Sequence, residues 1–273
     1  MRAPYDKISS ITRIVAVLVV PILWLAFLIL YFFPDTTGER FAWAIKPHMT
    51  SLYMGAGYLG GSWLFINAIF RDKWHRVAGG FLPVTAFTWA MLIATFLHWD
   101  RFSHGRAGFY AWLVLYIVTP FLVPGLWVFN RQADPVQPEP DDPVNPAWMR
   151  WPLALFGLTG LGFTLASFLV PDLIINAWAW PLTPLTGRVL AGWGMLLSVG
   201  GIVMAFERRW SAWRVPLQSI FVWHILVLVG AAFNPADFTQ APLNWFTAAT
   251  TLVLAGLIGL LVVMDRRRDL LQK

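Results

Sequence analysis

Two polar stretches hold three of the five histidines, each with carboxylates close by in the sequence. PDTTGERFAWAIKPH, residues 34–48, carries Glu39 and His48, and HWDRFSHGR, residues 98–106, carries His98, Asp100 and His104. Imidazole nitrogens and carboxylate oxygens can hold a divalent cation, bind an anionic headgroup or pass a proton. The spacing leaves these alternatives open. HWDRFSH lacks the HExxH pattern that puts two imidazoles and a base on one helix face, and six residues do not align His98 with His104 on a helix. His48, His98 and His104 are therefore candidate metal ligands. Together with Glu39, Tyr53, Asp100, Arg188 and His224 they are also candidates for a ligand or proton pathway. Asp100 has a counterpart in Asp237, which favours a structural role for it.

His224, in SIFVWHILVLVG, is the one histidine expected near the middle of an apolar run. Burial there penalises its charged form, so it should face the bundle as a neutral, hydrogen-bonded ring, a pathway group or a cofactor ligand. A bis-imidazole haem would need His48 or His98 at the same depth, so haem or a divalent metal is the cofactor class left open. The chain has no cysteine, which removes thiolate metal sites and cysteine nucleophiles. It also lacks a serine elbow and a recognisable donor-binding motif, which points away from an enzyme.

The elements that must position these groups are apolar. Of 273 residues, 58% are hydrophobic and 12% charged, with 17 Trp and 21 Phe. Soluble domains carry roughly 25% charged residues, and runs of about 20 apolar residues cross a bilayer. An all-α polytopic membrane protein follows. Its eight expected spans cover 14–33, 47–70, 77–98, 107–129, 151–171, 183–206, 213–233 and 243–264, with kinks expected at Pro21, Pro83, Pro120, Pro124 and Pro216. The first run ends in LYFFPD without a small-residue cleavage pattern, so it is expected to be retained as a helix.

Fifteen of the 20 Lys and Arg fall on the side of the two termini, which the positive-inside rule assigns to the cytoplasm. A prokaryotic cytoplasmic membrane is the expected location, with the two polar stretches outside. The net charge of +6 is explained by this asymmetry and does not call for nucleic acid. Tryptophans cluster near the span ends, as in an interfacial belt. On the inner side, Arg71, Lys73, Arg76, Arg208, Arg209 and Arg214 are expected to contact anionic headgroups. NRQADPVQPEPDDPVNPAW, between spans four and five, reads as a solvated cytoplasmic linker, residues 131–150.

Compared with itself at an offset of 137, the chain aligns Pro34, Asp35, Trp43 and Pro47 with Pro171, Asp172, Trp180 and Pro184, and Arg71 with Arg208. The expectation is two parallel four-helix repeats, residues 1–130 and 151–273, related by an axis along the membrane normal. Glu39, Arg40, Lys46 and His48 have no chemical equivalents in the second copy and mark the first for a specialised task. Gly57 and Gly61 form a small-xxx-small surface that reads chiefly as packing.

The leading functional expectation is binding or transport of an apolar or amphipathic small molecule or lipid. Capture at the outer polar cluster would be followed by entry into a glycine- and aromatic-lined cleft between the bundles. The alternatives are a membrane redox or metal/haem-binding subunit and a non-catalytic scaffold or assembly subunit. Partners would be membrane lipids and a protein partner or a second copy of the chain.

Overall fold

A computed structural model describes residues 6–272. Eight helices of 17 residues or more make up the fold: α1 (Ser10–Phe32), α2 (His48–Phe70), α3 (Phe81–Leu97), α4 (Ala107–Asn130), α5 (Ala147–Leu169), α6 (Pro184–Phe206), α7 (Trp210–Phe233) and α8 (Leu243–Leu271). Among the described residues, seven stretches are long and apolar enough to cross a membrane, and the chain is an integral helical membrane protein. α2 is the exception. It is as long as α1 but carries four glycines together with Thr50, Ser51, Ser62 and Asn67. Fifteen of its residues are buried, so it needs little apolar surface to face lipid. The expected eight spans thus appear as seven apolar helices and one helix buried among them.

The packing follows a regular scheme. α1 lies on α2 and α5 on α6; α3 lies on α4 and α7 on α8; α2 packs against α7 and α6 against α3. The second helix of each set of four therefore contacts the third helix of the other set. Small residues allow this closeness, the usual device where apolar helices pack in an apolar solvent. A Cβ on Gly60 of α2 would stand 2.6 Å from the Ser219 carbonyl oxygen of α7, and one on Gly192 of α6 would stand 2.4 Å from Met91 Cε of α3.

Local signals set the helix ends. The Ser9 side chain accepts from Thr12 N at the start of α1, and Thr183 and Thr186 form a reciprocal capping box at the start of α6. Pro83 sits in the first turn of α3, where a proline removes no helical hydrogen bond, so it starts the helix rather than kinking it. A short helix, His75–Ala78, precedes α3 and is set off from it by Gly79 and Gly80. α8 runs past the expected end at 264 to Leu271 because its polar last turns are held by the chain: Asp265 accepts from Trp210 Nε1 at 2.9 Å and pairs with Arg214 at 3.0 Å.

Candidate functional site

At the end of the bundle remote from the termini, the expected polar residues are engaged in separate places. Asp35, which the repeat aligns with Asp172, is a hub: it meets His48 Nε2 at 2.7 Å and Lys46 Nζ at 3.4 Å. The His48 hydrogen bond and charge, followed by Lys46, hold the Asp35 carboxyl below its usual range. His98 Nε2 accepts from Arg188 Nη1 at 2.8 Å, while Arg188 Nε donates to the Phe168 carbonyl at 2.9 Å. Burial and then the Arg188 charge push the His98 pKa down. His104 packs on the rings of Trp99 and Phe109, with centroids 5.1 and 4.7 Å away. Asp100 pairs with its neighbour Arg101, at 3.4 Å, and Glu39 is exposed on the short helix Thr37–Arg40. Asp237, the counterpart of Asp100, caps α2 by accepting from Met49 N at 2.7 Å.

Deeper in the bundle, a cavity of about 430 Å³ opens between the two sets of helices, bounded by Gly57, Gly61, Gly79, Gly80, Gly200 and Gly201 among other residues. Gly61 has nothing within 4 Å of its would-be Cβ, so only half of the expected Gly57–Gly61 packing surface is in contact; at Gly57 a Cβ would meet the Trp193 ring at 2.8 Å. The walls are nearly all apolar, and two polar groups stand out. The Trp193 Nε1–H is buried without a partner among the described residues. His224 donates Nδ1–H to the Ile220 carbonyl at 2.9 Å, which leaves Nε2 as an acceptor. Tyr53 lies outside this cavity, against the rings of Trp178, Trp180 and Trp223.

The termini-bearing end holds a polar array that the sequence reading missed. Asp6 Oδ1 accepts from His75 N at 3.1 Å, and Asp6 Oδ2 lies 2.5 Å from His75 Nδ1. His75 Nε2 lies 2.9 Å from Ser211 Oγ. Asp142 takes both Ser211 donors, the backbone N–H at 2.9 Å and the hydroxyl at 2.5 Å. Because the single Ser211 proton goes to Asp142, His75 donates Nε2–H to Ser211; Asp6 as a carboxylate only accepts, so Nδ1 donates to Asp6, and a metal ion at Nδ1 would have to displace that proton. Each aspartate caps one helix, Asp6 the short helix at His75 and Asp142 the first turn of α7.

Glu139 completes the group. Ligand atoms of Asp6, His75 and Glu139 all lie within 4.8 Å of one another, and this is the one such His and carboxylate group among the described residues. His75 is 1% exposed. Burial would raise the Asp6 and Glu139 pKa values. It is outweighed by the His75 hydrogen bonds at Asp6 and by Lys73, then Arg76, at Glu139, so both carboxyls sit below their usual range. Lys73 bonds to Glu139 Oε1, and Arg76 Nη2 donates to Oε2 at 3.2 Å.

Most of the basic residues expected to face headgroups are thus paired within the chain. Lys73 and Arg76 share Glu139, Arg214 pairs with Asp265, and Arg209 is buried between Asp134 and Glu207. Arg71 and Arg208 are exposed. Within 131–150, Asp134 pairs with Arg209, Glu139 with Lys73 and Arg76, and Asp141 with Arg268, and Asp142 is 4% exposed, so the solvated reading of that segment gives way to a packed one. One signal could have revealed the array. At an offset of 136 rather than 137, Asp6 meets Asp142, Trp74 meets Trp210 and His75 meets Ser211.

No protein-family model, curated protein or solved structure matches the chain. Fold and site therefore define a class by themselves: an integral helical membrane protein carrying an Asp–His–Glu cluster that could bind a metal ion.

Proposed function

We propose that the protein is a metal-binding subunit of the cytoplasmic membrane, with Asp6, His75 and Glu139 as ligands. The mutual approach of their ligand atoms to within 4.8 Å carries this reading. One imidazole and two carboxylates, with no thiolate, suit a borderline or hard divalent ion such as zinc, manganese or iron(II). Ser211 orients the imidazole from its far nitrogen, the usual supporting contact for a metal-binding histidine. Lys73 and Arg76 compete for Glu139, but the Lys73 side chain is 41% exposed and has room to swing away. A site that must displace a cation fits responsive binding better than a permanent structural ion. The test is metal analysis of protein purified without chelator, then titration with zinc, manganese and iron(II). Saturable binding lost in His75→Ala and Glu139→Gln supports the reading; substoichiometric metal in the wild type under all three ions sinks it.

The architecture proposed around this centre is eight membrane crossings in two parallel repeats, 1–130 and 151–273, with residues 131–150 joining them. Supporting it, α1 and α5 start 137 residues apart, α2 and α6 as well as α4 and α8 start 136 apart, and the packing scheme is the same in both sets. The charge asymmetry supports cytoplasmic termini.

A second reading, binding or transport of an apolar or amphipathic molecule, is favoured by the cavity between the sets. At about 430 Å³ it has the size of a small-molecule site. An indole donor and an imidazole acceptor in apolar walls suit a neutral molecule with a hydroxyl head. Uptake into proteoliposomes, with and without an ion gradient, tests transport, and no uptake above protein-free vesicles in either condition refutes it.

A further inference from the structure

Beside the metal cluster, a narrow polar pocket is lined by Asn67, Arg71, Arg76, Arg214, Gln218 and Arg268, with Ser211 at its wall. The four arginines come from different parts of the fold: the end of α2, the short helix, α7 and α8. Three have one carboxylate each, Arg76 with Glu139 at 3.2 Å, Arg214 with Asp265 at 3.0 Å and Arg268 with Asp141 at 3.4 Å. Arg71 has no carboxylate within salt-bridge distance among the described residues, and its nearest polar side-chain contact is Asn67 Oδ1 at 3.4 Å. The lining therefore carries one more positive charge than its acidic partners supply.

Arg76 Nε–H and Arg268 Nε–H are both buried and both lack an acceptor among the described residues. A buried donor on a charged group is costly to leave unmade, and two residues of one pocket's lining carry such a donor each. The space inside, about 20 Å³, takes one or two oxygen-sized atoms and no bulky head. Guanidinium forks match tetrahedral oxyanions by paired, charge-assisted hydrogen bonds, which a single carboxylate cannot offer to four arginines.

We propose that the pocket framed by Arg71, Arg76, Arg214 and Arg268 binds a phosphate group. The proposal does not depend on the metal reading, because it concerns different donors and its test contains no metal. Its ligand enters with its terminal oxygens only, as inorganic phosphate or a phosphomonoester headgroup does.

The full chain is placed in nanodiscs of phosphatidylcholine and titrated with inorganic phosphate by calorimetry in chelator-containing buffer. In a second arm the discs also contain phosphatidic acid, and lipid retained after detergent exchange is quantified by native mass spectrometry. The expected result is saturable binding in one arm or both, weakened roughly tenfold or more in Arg71→Gln and partly restored in Arg71→Lys. Arg267→Gln, which removes an exposed positive charge on α8 outside the pocket, leaves binding unchanged. Phosphate binding in the first arm identifies the free anion as ligand, and retention of phosphatidic acid alone identifies the lipid head; both support the site. No binding in either arm, or equal losses in Arg71→Gln and Arg267→Gln, overturns it, since equal losses would mean general surface charge.

Discussion

Asp141 and Asp142 are adjacent, chemically identical and part of one Pro/Asp-rich segment, yet replacing them by alanine should have very different consequences. Asp142 is 4% exposed and accepts from Ser211 N at 2.9 Å and from Ser211 Oγ at 2.5 Å. Removing a helix cap costs about 0.5–2 kcal/mol, and stranding the buried Ser211 hydroxyl adds about 1–3 kcal/mol. The expected loss for Asp142→Ala is therefore on the order of 2–4 kcal/mol. Asp141 pairs with Arg268 at 3.4 Å and with Gln272 at 2.8 Å near the surface, so Asp141→Ala should change stability by no more than about 1 kcal/mol. Ser211→Ala in the Asp142→Ala background removes the stranded hydroxyl, and a double-mutant cycle should return a coupling of about 0.5–3 kcal/mol. The assay is reversible denaturation in mild detergent, followed by tryptophan fluorescence. Equal stabilities for Asp141→Ala and Asp142→Ala, or additive single losses in the cycle, would refute the assignment of Asp142 as a buried cap.

Two neighbouring glycines give a contrast within one helix: Gly60→Ala forces a methyl to 2.6 Å from the Ser219 oxygen and should destabilise by about 1–3 kcal/mol, whereas Gly61→Ala enters open space and should be neutral or stabilising by up to about 1 kcal/mol; thermal unfolding of both variants decides. At the far end, His98 is held neutral by burial and by Arg188, so its folded pKa lies below its unfolded value near 6.5. That contribution to stability is full above pH 6.5 and is lost as pH falls through the lowered folded pKa, so the melting temperature of wild type should drop more steeply on acidification than that of His98→Gln. Under the metal reading, Lys73→Ala frees a Glu139 oxygen and should tighten zinc binding several-fold, checked by competition titration against a colorimetric chelator.

The spans were readable because seven long apolar helices follow directly from what a bilayer demands of a chain. The buried helix α2 was also recognisable, since Leu52, Leu59 and Leu64 with the aromatics kept its run apolar despite four glycines. The polar sites were harder to see. His48, His98 and His104 drew attention as three histidines in loops, but proximity in sequence did not make them one site, and each has its own partner. His75 was passed over because RDKWHR resembles an ordinary basic boundary, and its partners lie 69 and 136 residues away. Asp142 was read as solvated because proline and charge in a run usually mean exposure; only the fold shows that the run crosses the first turn of α7. No hydrophobic period carries that information.

The array at the termini-bearing end also bears on how two copies of one design come to differ. Under the proposed duplication, Asp6 and Asp142 occupy equivalent places, Asp6 capping the short helix that leads into α3 and Asp142 the first turn of α7. Their helix-end partners, His75 and Ser211, are equivalent too, and they touch each other at 2.9 Å. An axis relating the copies must pass close to such a contact, so the residues there meet their own counterparts. Two serines could satisfy one another only through their single protons, and those are already drawn to the two aspartates. Two histidines flanked by two carboxylates would crowd like rings around one point. One histidine and one serine avoid both conflicts: the imidazole donates to the hydroxyl, and the hydroxyl donates onward to Asp142. The exchange leaves the array asymmetric, with an imidazole nitrogen on the Asp6 side alone. Glu139 lies on that same side, so under the metal reading the exchange that relieves the symmetric contact also leaves one candidate metal site instead of two.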